Sequence, residues 1–395
     1  MKSLVARAVL RAADAVTTPG VAPAARLDTL MECHGALLAA RGPGSPLSFA
    51  DFRNQIRGDP SCLLPPGVDG WDIDGLRMVD ADGHVTEDAF DIDAEQRLVL
   101  GVLRRSNRGT GLISGSDLED EVAQETAFAQ LSKTGDQKSY EDGRNALIRH
   151  PSGPVSMLSE LQLPPLISDL YGDIAYASAY RDWWFACPVC QWPMRVALRR
   201  ESSRVIGAVA CWHKPHQRIG AAYHFRPTEG PEPPELQPEP PAAPPGPHEA
   251  ILWPDLQTVP PAQPIEGHKA LARGVWRYTC VPGLAEIALR DRLVERGLQV
   301  QLWPSLDAYD LAVHIENRKE TLRVDVKDYT SATALSELIH AQEGDRGGAQ
   351  WLVVPDHRAS QVPLLSGVGQ RYGLQVATAS AFGAMVCERA GVAWS

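Results

Sequence analysis

The sequence predicts an α/β C-terminal block, a mixed sheet flanked by helices, behind a mainly helical N-terminal region that carries a zinc ribbon. Three observations predict it. From Gly283 onward, helical and extended patterns succeed one another as α-β-β-β-α-β-α-β and close on a helix. Between Cys187 and His224 a Cys-x2-Cys pair is followed by a third cysteine and three histidines. Between these regions lies "RPTEGPEPPELQPEPPAAPPGPHEA", Arg226 to Ala250, rich in Pro and Glu and without periodicity. Such a stretch cannot bury a core and reads as an extended, semi-stiff spacer. The expected organisation is a helical domain over 1–175, a zinc-ribbon-like module over 176–226, a linker over 227–250 and an α/β domain over 251–395.

Bulk composition narrows the class. Of 395 residues, 44% are hydrophobic and 22% charged, which suffices for sizeable cores. No apolar run reaches the roughly 18 residues needed to cross a bilayer. The N-terminal "MKSLVARAVLRAADAV" places Arg7 and Arg11 inside its apolar part and lacks the unbroken apolar region of a signal peptide. The expectation is a cytoplasmic protein without membrane contact. Seven cysteines are too sparse for a disulfide scaffold. The net charge is −11, yet Arg181 to Arg226 holds eight Arg/Lys against two acids. A local basic patch matters more to a polyanion than the total does.

In the N-terminal region, Ala24–Ala40 has helical apolar spacing, and so does the stretch from Asp93 to Arg105, with Asp93 as its cap. A further helix is expected over Ser116–Lys133, with acids in its first turn, where the macrodipole favours them. The Asp- and Gly-rich stretch from Gly67 to Phe90 fails as a calcium loop, because no Glu falls at the twelfth position. It reads as a polar loop or small hairpin.

Cys187 and Cys190 form a turn that can place two thiolates on one ion, and zinc needs four such ligands in a tetrahedron. Strand-like runs, Met194–Leu198 and Arg204–Ala210, flank the pair as in a zinc ribbon, with a second knuckle at Cys211. For the fourth ligand, His216 leaves room for a turn after Cys211, whereas His213 requires a tighter geometry. With every position filled by protein, the Zn²⁺ is structural. A redox pair would need a βαβ context that is absent here; plain core cysteines are the other reading. Arg195, Arg199, Arg200, Arg204, Lys214 and Arg218 decorate this module as a phosphate-contacting surface or simply a solvated face.

In the C-terminal block, residues 283–297 read as a helix with Leu284, Ile287, Ala288 and Leu293 as its apolar stripe and Gly297 as its stop. A strand is expected over 298–304, then two strands within 309–329 around a turn at Glu316–Lys319. A helix over 332–342, a buried strand over 349–355, a helix over 360–373, a short strand over 374–382 and a terminal helix complete the block.

The strand "LRVDVKDYTS" puts Asp325 and Lys327 two residues apart, hence on one face. Opposite charges on a core strand are costly unless something recruits them. Asp310 opens the partner strand, and Glu286 lies on the preceding helix. Asp310 and Asp325 can hold Mg²⁺ or Mn²⁺, with the Val326 carbonyl completing the coordination. Lys327 can offset charge building on phosphorus. Glu286 can orient a water or bind a second metal. His314 and His340 lie nearby in this scheme and read as structural histidines.

A helix Glu, then Asp, then Asp-x-Lys on a hairpin resembles the PD-(D/E)xK restriction-endonuclease-like superfamily, over about Leu271 to Cys387. Asp310 matches the first motif acid, Asp325 and Lys327 the (D/E)xK pair, and Glu286 the helix acid. Tyr309 stands where the motif name has Pro. The layout is also similar to the endonuclease encoded beside prokaryotic PIWI proteins of the RE type and a helicase. The resemblance implies a metal-dependent DNA endonuclease, with a PIWI-like protein and a helicase as partners, acting against invading DNA. A homodimer is left open. The alternatives are a zinc-ribbon adaptor with a degenerate nuclease fold and a DNA-binding subunit.

Overall fold

The computed structural model describes residues 2–17, 21–66, 68, 77–80, 85–89, 91–92, 94–95, 115–133, 135–201, 204–227, 230–241, 245–256 and 258–395. The loop expected over 67–90 and the helix expected over 93–105 lie, but for a few residues, outside these. The chain folds as two compact units, one of residues 1–110 with 329–343, the other of residues 111–328 with 344–395. No described helix is long and apolar enough to cross a membrane.

The first unit is mainly helical where described, with an isolated antiparallel bridge between Val79 and Val85. It contains α1 (Lys2–Thr17), α2 (Pro23–Arg41), α3 (Phe49–Gln55) and the helix Ala332–Ala341. Val5, Val9, Ala12 and Ala13 of α1 join Leu30, Cys33 and Leu37 of α2 in one core with Phe52 and Ile56. The Ser48 side chain caps α3 by accepting from Asp51 N, which satisfies one of the unpaired N–H groups of a helix start.

Among the described residues, the second unit holds four sheets. It begins with α4 (Gly115–Ser132) and α5 (Gln137–Arg149), the latter capped by the Asp136 side chain on Ser139 N. Short strands follow: β1 (Ser152–Pro154), β2 (Tyr171–Asp173), β3 (Ala179–Tyr180) and β4 (Trp183–Phe185). Next comes an antiparallel sheet of β5 (Arg195–Glu201), β6 (Arg204–Ala210), β7 (Ala222–Phe225) and β8 (Gln237–Pro238), with α6 (Lys214–Arg218) between β6 and β7. The Pro/Glu-rich segment thus supplies β8. Its Pro231 carbonyl also accepts from Trp183 Nε1 at 2.9 Å. Downstream, β9 (Ala262–Pro264) pairs with β4, and β10 (His268–Leu271) lies between β1 and β2.

The five-stranded sheet runs β11 (Gln299–Leu302), β12 (Leu311–Ile315), β13 (Glu320–Val326), β14 (Trp351–Val354) and β15 (Gln375–Thr378), in that order. The first three are antiparallel, and β13–β14 and β14–β15 are parallel, so the sheet is mixed. Helices α7 (Val281–Glu295), α8 (Val362–Gly369) and α9 (Ala379–Ala390) accompany it. Gly297 ends α7 at φ +82°, a left-handed conformation that suits glycine.

Two expectations need correction. Of the stripe expected on α7, Ile287 and Leu293 are buried, whereas Leu284 and Ala288 are half-buried and line a cavity; Val281 and Leu289 complete the buried apolar set. This helix is apolar on more than one side, so periodicity alone found only part of its buried set. The segment 374–382 is strand only to Thr378; the Thr378 hydroxyl accepts from Ala381 N and starts α9. A local cap at this residue outcompetes further extension.

At Gly283 a Cβ would stand 2.4 Å from Ile148 Cδ1, so α5 and α7 approach closely there. One turn along each helix, this brings Arg144 beside Glu286. Gly347, at φ +63°, would put a Cβ 1.6 Å from the Ala308 carbonyl oxygen. Gly347→Ala is therefore expected to cost about 1–3 kcal/mol through a strained φ and a backbone clash, read by urea unfolding.

Candidate functional site

The acids meet at the mouth of the β12–β13 pair. Asp310 immediately precedes β12, where its N–H donates to the Val324 carbonyl at 2.9 Å and its carbonyl accepts from Trp303 N at 2.8 Å. Its Oδ2 accepts from Val326 N at 2.6 Å. Asp325 is buried on β13, opposite Leu352 of β14 in parallel register. Lys327 follows the strand, held by its N–H to the Val353 carbonyl at 2.9 Å. Its Nζ lies 2.8 Å from Asp325 Oδ1 and 3.6 Å from Asp310 Oδ2. The structure thus brings Asp310, Asp325 and Lys327 together. Val326 enters through its N–H.

Two arginines complete the constellation. Arg346, next to the constrained Gly347, puts Nε 2.7 Å and Nη2 2.6 Å from Asp325 Oδ2. Arg144 of α5 reaches Glu286 Oε1 and Oε2 at 3.2 and 3.0 Å, and lies 3.9 Å from Asp310 Oδ1. It also pairs with Asp307 Oδ2 and lies over the Trp303 ring at 4.6 Å. Trp303 Nε1 donates to Glu286 Oε2. Trp303, Ser305, Leu306 and Asp307 all have positive φ, and Gln137 ties this turn to α5 by bonding Trp303 O and Leu306 N. Arg144, Asp307, Trp303 and Arg346 were not singled out from the sequence. His314 bonds Thr321 through Nδ1 at 2.9 Å. His340 belongs to the first unit.

The electrostatics are uneven. Burial, then Glu286, raises Asp310 well above the ordinary carboxylate range, against the pull of Lys327. Burial also raises Glu286, against Arg144. At Asp325 burial opposes ionisation, but Arg346 and Lys327 outweigh it and hold the carboxyl low. Burial opposes the Lys327 charge, and Asp310 and Asp325 overcome it to keep the ammonium above its usual range. Glu286, Asp307, Asp310 and Asp325 thus face Arg144, Lys327 and Arg346, and Asp310 is the acid whose ionisation burial and its neighbours oppose most.

A second constellation lies in the Cys-rich module. The ligand atoms of Cys187, Cys190, Cys211 and His216 all fall within 4.8 Å of one another, and all four residues are buried. Cys190 Sγ and Cys211 Sγ stand 3.8 Å apart, and His216 Nδ1 lies 3.4 Å from Cys211 Sγ and 3.9 Å from Cys187 Sγ. A tetrahedral Zn²⁺ with bonds of about 2.3 Å to sulfur sets its sulfurs about 3.8 Å apart. A disulfide would need about 2.05 Å. The Val189 N–H donates to Cys187 Sγ at 3.4 Å, as expected for a thiolate-ligand turn. His213 is turned away from the sulfurs toward Asp328. Of the basic residues on this module, Arg199, Arg204 and Arg218 are exposed.

The acids and lysine at the sheet mouth, with the mixed sheet behind them, set the geometry against which relatives can be judged. Residues 283–394 match the family model described as REase associating with pPIWI_RE. The C-terminal block therefore resembles the restriction endonuclease associated with PIWI-RE. The matched stretch contains Glu286, Asp310, Asp325, Lys327 and Arg346; Arg144 and the Cys cluster lie upstream of it. No curated protein and no solved structure matches the chain.

Proposed function

We propose that the chain is a Mg²⁺- or Mn²⁺-dependent DNA endonuclease of the PD-(D/E)xK type, acting in the cytoplasm as a subunit of a prokaryotic anti-invader complex with a PIWI-like protein and a helicase. The observation that carries this reading is the meeting of Asp310, Asp325 and Lys327 at one end of adjacent strands, within the segment whose family is described as an REase. Hard carboxylate oxygens fit a hard dication, and a cation there would offset the burial and the neighbouring Glu286 that disfavour the Asp310 carboxylate. Asp310 and Asp325 would hold it. A bound Mg²⁺ supplies Lewis acidity toward phosphate oxygens and water. Lys327 remains an ammonium and offsets charge developing on the phosphate rather than acting as a base. Arg346 fixes Asp325 and keeps it ionised. Glu286 spends both oxygens on Arg144 and Trp303, so we give it a positioning role in place of water activation. In the Cys-rich module, Cys187, Cys190, Cys211 and His216 hold a structural Zn²⁺ in a closed site, and the exposed arginines beside it contact DNA phosphates.

One observation favours a second reading, a non-catalytic adaptor: Arg144 and Arg346 already lie against the acids. Incubating full-length protein with plasmid DNA and Mg²⁺ or Mn²⁺ separates the two. Cleavage is expected, slowed at least about 10²–10³-fold in Asp325→Ala and in Lys327→Ala. Undiminished cleavage in both variants would put the chemistry elsewhere. A wild-type protein silent with both metals, even with its partners added, would support the adaptor.

A further inference from the structure

His213 is the histidine that the cysteine cluster does not take up. It precedes α6, is buried, and directs Nε2 to within 3.4 Å of Asp328 Oδ2. That approach lacks hydrogen-bond geometry, so a water-shielded ring nitrogen is left without a hydrogen bond. From the far side, His357 Nε2 lies 3.3 Å from Asp328 Oδ1. All three ligand atoms fall within 4.8 Å of one another. The residues come from three places: the Cys-His loop, the chain just past β13 and the turn after β14.

The spacing is that of a coordination polyhedron. Nitrogen and oxygen ligands at about 2.0–2.1 Å from a tetrahedral ion stand about 3.3 Å apart. The His213 Nε2–Asp328 Oδ2 separation, 3.4 Å, matches this edge, and His357 Nε2 lies beside the same carboxylate, 3.3 Å from its other oxygen. Arg358 Nε donates to Asp328 Oδ1 at 2.8 Å, which fixes the carboxylate from behind and leaves Oδ2 for an ion. Metal-binding carboxylates are commonly held by such outer partners. His213, Asp328 and His357 also line one cavity of about 360 Å³, together with Leu252, Trp253 and Leu284.

We propose that His213, Asp328 and His357 hold a second divalent transition-metal ion of the zinc class, with one coordination position open to this cavity. The donor set is two imidazoles and a carboxylate, which suits Zn²⁺ or Co²⁺ and not Mg²⁺. Three protein ligands and an exchangeable fourth distinguish it from the closed four-ligand set of the cysteine cluster. The His213 and His216 rings are 4.7 Å apart between centroids, so the two sites adjoin without sharing a ligand. The cavity beside the open position, lined by Leu252, Trp253 and Leu284, would admit a small ligand with an apolar body and one metal-binding group. This site stands independently of the nuclease reading, because it uses none of Asp310, Asp325 or Lys327.

The test is metal content. Full-length protein stripped of metal and titrated with Zn²⁺ is expected to bind one equivalent more than His357→Ala and than His357→Gln. His357 is the most accessible of the three ligands, and the glutamine variant keeps much of its volume; near-UV circular dichroism checks that both variants remain folded. In Co²⁺-loaded protein, the thiolate-to-cobalt band should persist in both variants. Imidazole added to the wild type should shift the visible Co²⁺ bands, and should not do so in the variants. Equal metal content in folded wild type and variants would overturn the proposal and reduce the cluster to an ion-paired Asp328.

Discussion

Cys190→Ser is expected to lower the melting midpoint of the second unit by on the order of 10 °C or more, and chelation of the wild type is expected to do the same reversibly. Cys187, Cys190 and Cys211 are buried in the same core as Phe185, Tyr223 and Phe225. Without an ion, the cluster crowds three sulfurs and an imidazole in an apolar surround, where burial opposes each thiolate. The free energy of metal binding then becomes folding free energy, about 10–16 kcal/mol in isolated zinc-finger peptides. Here the surrounding core retains part of the fold, so a net loss of about 4–5 kcal/mol is the expectation. A unit of this size loses roughly 2–4 °C per kcal/mol. Scanning calorimetry with a chelator and subsequent Zn²⁺ addition checks this. An unchanged midpoint in both treatments would remove the zinc from the account.

Arg144→Ala should destabilise the protein by about 3–5 kcal/mol, because it leaves buried acids without their cation. Arg144 is itself buried, and its guanidinium serves Glu286, Asp307 and, at longer range, Asp310. Burial disfavours the guanidinium charge, but Glu286 and Asp307 hold it well above its ordinary range. Deleting the cation alone is much worse than deleting both partners, since a matched neutral pair removes the desolvation cost along with the attraction. Arg144→Met combined with Glu286→Gln should therefore regain a good part of the loss. Chemical denaturation of the four proteins in a double-mutant cycle measures the coupling. A single variant within about 1 kcal/mol of wild type would mean that the acids are protonated or hydrated rather than paired.

Much of the C-terminal block was readable because its signals are local. Val324 and Val326 alternate with Asp325 and Lys327 in the period of a strand. A turn at Glu316–Lys319, where Lys319 adopts φ +51°, marks the hairpin. The helix over Ala332–Ala341 falls within the expected 332–342, and the structure adds its Ser331 cap. The spacing of Cys187, Cys190 and Cys211 likewise carries its own geometry. The counter-charges were not readable. Arg144 and Glu286 are 142 residues apart, and no periodicity links them. The one trace was that Arg144 shares a helical stripe with buried Tyr140, Leu147 and Ile148, where a charge is unexpected. His357 and Asp328 meet only because β13 and β14 run parallel and end side by side, which no local pattern announces.

The close approach at Gly283 also bears on how the C-terminal block can be transplanted. A chimera that grafts residues from Ile251 onward onto another scaffold would inherit Glu286, Asp307 and Asp310 but not the guanidinium supplied from Gln137–Arg149. Such a graft would need that upstream helix carried with it, or neutral residues substituted for the stranded acids. The region recognisable by kinship is thus smaller than the region that is electrically self-sufficient.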